Sequence, residues 1–213
     1  TSDEMAQTMK LCVSCKGCKR ECPTGVDMAR MKIEVQAAIV RKNGLKLQDR
    51  LTAFLPRYAP MAARMPFLAN LRNTVPGLAK LTERLTGFSA TRKLPTWAAR
   101  PFKDSEASEG ESPQAVVFAD CFNRYFEPEN LRATLKVMEA ADVPVHLAKA
   151  PKGERPLCCG RTFLSAGLID EAKVEAQRLV DALMPYVEQG LPIIGLEPSC
   201  LLTLRDEIPA LLP

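Results

Sequence analysis

The sequence predicts an all-helical region followed by a three-layer α/β region with a mainly parallel sheet, and three observations predict it. From residue 3 to about residue 87, apolar residues recur at helical spacing and no stretch alternates like a strand. After residue 115, short apolar runs alternate with amphipathic segments, the signature of strands joined by helical crossovers. Between them, residues 92–114 turn to Pro, Ser, Glu and Gly without periodicity. The expected organisation is a helical domain over 1–91, a linker over 92–114 and an α/β domain over 115–213.

In the first region Met31, Val35 and Ile39 recur at i, i+4, i+8, as do Leu47, Leu51 and Leu55, and Leu78, Leu81 and Leu85 follow. Pro23, Pro56, Pro60, Pro66 and Pro76 are expected helix boundaries, because proline cannot donate the i to i−4 bond. In the second region the expected strands are 115–119, 143–148 and 191–196, and the expected helices 130–141, 168–186 and 201–207. Leu131, Leu135 and Met138 share one helix face; Ile169, Ala172, Ala176, Val180 and Leu183 share another.

Composition narrows the function. The chain has 213 residues, 46% hydrophobic, enough to bury one large core or two small ones. No apolar run reaches the roughly 18 residues of a membrane span, and the N-terminus carries neither a charged segment nor an apolar one of the signal-peptide kind. The net charge of +4 is spread along the chain, which argues against a nucleic-acid stripe. A cytoplasmic location follows as an expectation, with a peripheral place at the cytoplasmic membrane face left open. The absence of an initiator Met and the ending at Leu211-Leu212-Pro213 suggest a piece of a longer polypeptide.

Eight cysteines in a reducing compartment point to metal or redox chemistry rather than disulfides. Cys12, Cys15, Cys18 and Cys22 form the run C-x-x-C-x-x-C-x-x-x-C-P, ending at Pro23, the spacing by which a short loop wraps a ferredoxin-type [4Fe-4S] cluster. Gly17 is expected to relieve crowding, and Lys10, Lys16, Lys19 and Arg20 to offset the cluster's negative charge. Cys22 serves either this cluster or a neighbouring one, as the fourth Cys does in two-cluster ferredoxins. A zinc knuckle is the competing use of the same four thiols.

The other cysteines are Cys121, Cys158, Cys159 and Cys200, and each position follows a predicted strand. In a parallel sheet those strand ends open on one edge, so the four thiols are expected to converge there as a second metal or redox site. Cys200 precedes a predicted helix whose N-terminal dipole favours a thiolate. The plainer alternative is that they are small buried hydrophobes.

These residues resemble the iron–sulfur C-terminal part of flavin-linked 2-hydroxy acid dehydrogenases of the D-lactate and D-2-hydroxyglutarate types. The resemblance rests on 11–23 with Val26-Asp27-Met28-Ala29, on 118–128 around Cys121, on Pro156-Leu157-Cys158-Cys159-Gly160-Arg161, and on Gly195-Leu196-Glu197-Pro198-Ser199-Cys200. The second region is similar to the cysteine-rich CCG domain shared with heterodisulfide reductase and the third subunit of anaerobic glycerol-phosphate dehydrogenase. The CCG pattern is Cys, about 35 residues, Cys-Cys-Gly, a similar gap, then C-x-x-C, normally twice. This chain fits one copy, with Glu197 where the first Cys of C-x-x-C is expected, so the domain is incomplete. The resemblance implies an upstream FAD domain or subunit that oxidises a 2-hydroxy acid, and an external acceptor that takes the electrons. The competing functions are a structural zinc-binding interaction module and a separate electron-transfer subunit of a membrane-associated dehydrogenase.

Of the remaining polar residues, His146 is expected to be structural. Asn123, Arg124 and Tyr125 are read as loop contacts that could otherwise meet an anion, and Arg161 as a partner of Glu154 or Asp170 or a thiolate. Trp97 and Tyr186 are read as packing residues.

Overall fold

The computed structural model describes residues 3–108, 110 and 112–212. Glu109 and Glu111 of the expected linker lie outside the described residues. The first region comprises α1 (Asp3–Lys10), α2 (Gly17–Glu21), α3 (Met28–Asn43), α4 (Leu47–Ala53), α5 (Leu55–Ala62), α6 (Pro66–Thr74) and α7 (Leu78–Thr86). Local chemistry sets several ends. Asp27 caps α3 by accepting from the Arg30 N–H at 3.0 Å, and Gly44 at φ 75° ends it.

Two local expectations change. The stripe Leu47, Leu51, Leu55 is not one helix, because the chain turns at Phe54, which closes α4 and opens α5. Pro60 lies inside α5 rather than at a boundary. Backbone bonds persist on either side of it, from Tyr58 to Phe54 at 3.3 Å and from Ala63 to Ala59 at 2.9 Å, so the short helix forgoes a single bond at the proline.

The second region contains β1 (Ala115–Phe118), α8 (Cys121–Tyr125), α9 (Pro128–Ala140), β2 (Val145–Leu147), α10 (Arg161–Ser165), α11 (Ile169–Val187), β3 (Ile193–Gly195), α12 (Pro198–Asp206) and α13 (Ile208–Leu211). The sheet is parallel throughout in the order β2-β1-β3, with Val117 opposite both Leu147 and Ile194. Side chains alternate along β1. Ala115 and Val117 face Leu131, Leu135 and Met138 of α9, whereas Val116 and Phe118 face Leu179 and Leu183 of α11. Helices therefore cover both faces, which makes three layers, and the crossovers through α9 and α11 lie on opposite sides. Of the unpredicted helices, α8, α10 and α13 span only four or five residues, too short to leave a periodic signal.

The two regions are joined by a continuous apolar contact. Ala53, Ile33 and Phe54 meet Phe163, Leu164 and Ala172, with the Phe54 and Phe163 rings edge to face at 5.2 Å. Gly167, at φ 76°, passes so close to α3 that a Cβ would stand 2.5 Å from the Ala37 nitrogen. Residues 97–103 of the connecting segment are laid onto the α/β region. Ala98 and Phe102 donate to the Tyr125 and Arg124 carbonyls at 2.9 Å, and the Phe102 side chain enters the sheet core. Trp97 packs on Tyr58, Tyr125 and Phe126.

Candidate cysteine sites

The first cysteine group lies on the loop between α1 and α3. Ser14 and Lys16 adopt left-handed backbone conformations, φ 58° and 60°, on either side of Cys15, unusual for residues with a side chain. Ser14 donates to the Cys12 sulfur at 3.4 Å, and Met28, at the start of α3, donates to the Cys18 sulfur at 3.4 Å. Hydrogen bonds of this kind stabilise charge on thiolates and are one lever by which proteins tune iron–sulfur centres. The Thr24 hydroxyl lies 3.1 Å from the Cys22 sulfur, and that contact, helped by backbone N–H groups of residues 24–26, lowers the Cys22 thiol to about 7.

A Cβ at Gly17 would meet the Cys15 sulfur at 3.7 Å, an ordinary contact, and the left-handed backbone of the segment falls at Ser14 and Lys16. Two of the cations expected to offset cluster charge are also already engaged. Lys16 is paired with Asp206 and, at 2.9 Å, with Glu207, while Lys19 lies 3.0 Å from Asp206 and 3.8 Å from Asp27. Among the described residues no three His, Cys, Asp or Glu side chains close into a metal-holding group, in either cysteine group. In donor type and in the amides directed at Cys12 and Cys18 the four thiols of the loop fit an iron–sulfur cluster.

The second group is assembled by the sheet. Cys121 opens α8 directly after β1, Cys158 and Cys159 precede α10 in the crossover from β2, and Cys200 sits in the first turn of α12 after β3 rather than ahead of it. Because α9 and α11 depart to opposite faces, the carboxyl ends of β1 and β3 flank the switch point of the sheet, where open α/β folds form their sites. The four thiols are neighbours in series, Cys121 beside Cys158, Cys158 beside Cys159 and Cys159 beside Cys200, and the Cys121 thiol donates to the Leu157 carbonyl at 3.8 Å. Cys158 and Cys159 are buried, and Cys121 and Cys200 half-buried.

The Cys121, Cys158 and Cys159 thiols are pushed up. For Cys121 the largest cause is its hydrogen bond to Cys158, followed by desolvation. For Cys158 and Cys159 the hydrogen bond from the preceding thiol in the series pulls the other way, but the bond to the next thiol and burial outweigh it. Without a bound cation these are protonated thiols, and binding one would release protons. Gly160 makes the turn possible: at φ 78°, a Cβ would lie 3.0 Å from the Ala172 carbonyl of α11.

The residues around the second group have structural employment. Asp120, 1% exposed, caps α8 by accepting from Phe122 and Asn123 at 2.9 and 3.0 Å. Asn123 is held between Asp120 and Asn130, and Arg124 pairs with Asp104 at 2.7 Å and stacks on Phe102. Tyr125 is buried, its phenol raised to about 12 by desolvation. Glu197, which stands where a cysteine was expected, caps α12 by accepting from the Ser199 hydroxyl at 2.7 Å and backbone at 3.3 Å. His146 bonds the Gly110 carbonyl at 2.7 Å and meets Tyr186 edge to face. Arg161 reaches neither Glu154 nor Asp170 but Glu207, at 2.6 Å. Sequence reasoning missed Asp120, Asp206 and Glu207; only Asp120 left a signal, an N-cap residue at the end of a strand.

Fold and site together define a thiol-rich α/β region preceded by a cysteine-bearing segment. Residues 115–205 match the cysteine-rich CCG domain family. The chain is 23% identical to the D-2-hydroxyglutarate dehydrogenase of Escherichia coli K12 and 24% identical to that of Pantoea ananatis, over 97% of this chain and 21% of each relative. It is 26% identical to the C subunit of the anaerobic glycerol-3-phosphate dehydrogenase of Escherichia coli K12, over 88% of this chain and 46% of that relative. The chain thus spans about a fifth of the former and just under half of the latter. No solved structure gives a significant match. Among the described residues, no helix is long and apolar enough to cross a membrane.

Proposed function

We propose that this chain is the iron–sulfur electron-transfer part of a larger flavin-linked oxidoreductase. Cys12, Cys15, Cys18 and Cys22 hold a [4Fe-4S] cluster, and Cys121, Cys158, Cys159 and Cys200 form a second metal or redox site. The observation that carries the reading is the C-x-x-C-x-x-C-x-x-x-C-P run with backbone N–H groups directed at the Cys12 and Cys18 sulfurs. A cluster bound there supplies one-electron storage and relay. The chain's own residues hold the loop in place through Lys16 and Lys19 and present Cys15 at the surface, where exchange with a partner is fastest. In this reading the partner that delivers electrons is an FAD domain or subunit acting on a 2-hydroxy acid, as the names of the dehydrogenase relatives suggest, and an external acceptor removes them. The relatives that are subunits of an anaerobic dehydrogenase favour a second form, in which this part is a separate polypeptide.

Anaerobic reconstitution tests the reading. The protein is expected to take up about four irons and four sulfides per cluster, with visible absorption that bleaches with dithionite. Stoichiometric zinc without iron would make it a structural zinc module, since zinc is redox-silent.

A further inference from the structure

We propose that Glu207 is a positioning residue that couples the two cysteine groups, by holding one residue from each on a single buried carboxylate. Its side chain is 6% exposed, at the junction of α12 and α13. One oxygen, Oε1, receives Lys16 Nζ at 2.9 Å and Arg161 Nη1 at 2.6 Å. Lys16 directly follows Cys15 in the first group; Arg161 directly follows Cys158-Cys159-Gly160 in the second. No other carboxylate is paired with residues flanking both groups among the described residues.

The backbone supports a device rather than a chance pair. Lys16 is held left-handed at φ 60°, a conformation that a residue with a side chain keeps only where its surroundings over-determine it. Asp206 and Glu207 provide that determination: Asp206 takes Lys16 and Lys19 together, and Glu207 adds the link to Arg161. The two-state element is the loop 12–22, docked on these acids or released from them. In the docked state the carboxylate shares its charge between two cations; on release it turns wholly to Arg161, beside the Cys-Cys-Gly turn. Any change that favours one state at the first group therefore biases the second, and linkage makes the effect reciprocal. The functional meaning, a cluster-bearing loop held at a fixed place on the second thiol site, rests on the electron-transfer reading, but the coupling does not.

The test uses the full chain, metal-free and reduced, with N-ethylmaleimide labelling of each cysteine followed by mass spectrometry. Lys16→Met is expected to raise the labelling rate of Cys159 by about fivefold or more, and Arg161→Met that of Cys18 by a similar factor. Both cross-effects are expected to vanish in a Glu207→Gln background, and Lys16→Arg is expected to restore the wild-type rate. A merely structural role predicts otherwise, with each substitution altering only its own group or all thiols alike, and Glu207→Gln multiplying rather than abolishing the effects; that pattern would overturn the proposal. Should Glu207→Gln fail to fold, the Lys16→Met/Arg161→Met double variant serves: coupling predicts a rate at Cys159 no higher than in the more reactive single variant, and a multiplied rate overturns it. A second arm adds iron and sulfide anaerobically. In wild type this is expected to shift Cys159 labelling, and in Glu207→Gln to leave it unchanged. Protein that takes up no iron contradicts the electron-transfer reading, while the metal-free arm still decides the coupling.

Discussion

The two cysteine groups are made by opposite means. The first is local: its thiols fall within residues 12–22, Cys15 is exposed, and polar contacts lower Cys22. The second draws on residues 121–200 and three strand ends, its thiols are buried or half-buried, and Cys121, Cys158 and Cys159 are raised. The surrounding regions differ in the same sense. In the α/β region Val116, Val117 and Phe118 are wholly buried, and burial of each large side chain contributes about 1.5–3 kcal/mol. In the helical region α6 and α7 bury nothing fully, and Phe67, Leu81 and Leu85 are 74, 55 and 67% exposed. The comparison teaches that the packed α/β region is the platform, and that the cysteine loop depends on it for its position.

Breaking the contact between the regions is the strongest test of that dependence. Gly167→Ala combines a left-handed residue with backbone overlap on α3, so it is expected to destabilise the chain by about 3 kcal/mol or more in urea unfolding. A cost of only about 1 kcal/mol, the left-handed part alone, would mean that the helical region moves away freely.

Gly160→Ala sharpens the comparison within the second group. Its φ of 78° and the approach to Ala172 predict a loss of about 2 kcal/mol, with Cys158 and Cys159 labelled faster and Cys15 unchanged. In the unmodified, metal-free protein, Cys15 is expected to react with maleimide at least about tenfold faster than Cys158, because the latter requires local opening. Equal rates would remove the contrast between the groups.

The smallest effect concerns the connecting segment. Arg132, hydrogen-bonded to Glu106, holds that carboxyl below its ordinary range. A folded-state value below the unfolded one adds stability above about pH 4.3 that is lost as pH falls through the folded value. Glu106→Gln should therefore cost under about 1 kcal/mol at pH 7 and nothing in strong acid, measured as a flatter acid limb of stability against pH.

The architecture was legible where one residue's chemistry suffices. Apolar runs at 115–119, 143–148 and 191–196 gave all three strands, and the cysteine spacing at 12–22 marked its loop. The convergence of Cys121, Cys158 and Cys200 was readable because parallel strands share a carboxyl edge. What escaped depended on distant partners: Lys16 and Lys19, read as compensating cluster charge, are paired with Asp206 and Glu207, some 190 residues away. The apolar stripe of α7 gave its helix but not its exposure, since periodicity tells which face is apolar and not what covers it.

In the proposed function the first group binds the cluster on its own and the second is a separate site. Iron and sulfide content after anaerobic reconstitution of Cys12→Ser and Cys159→Ser tests it most directly. The account predicts that Cys159→Ser retains about four irons and four sulfides with a dithionite-bleachable spectrum, whereas Cys12→Ser loses most of them. Retention in Cys12→Ser with loss in Cys159→Ser would place the cluster in the α/β region and contradict the account.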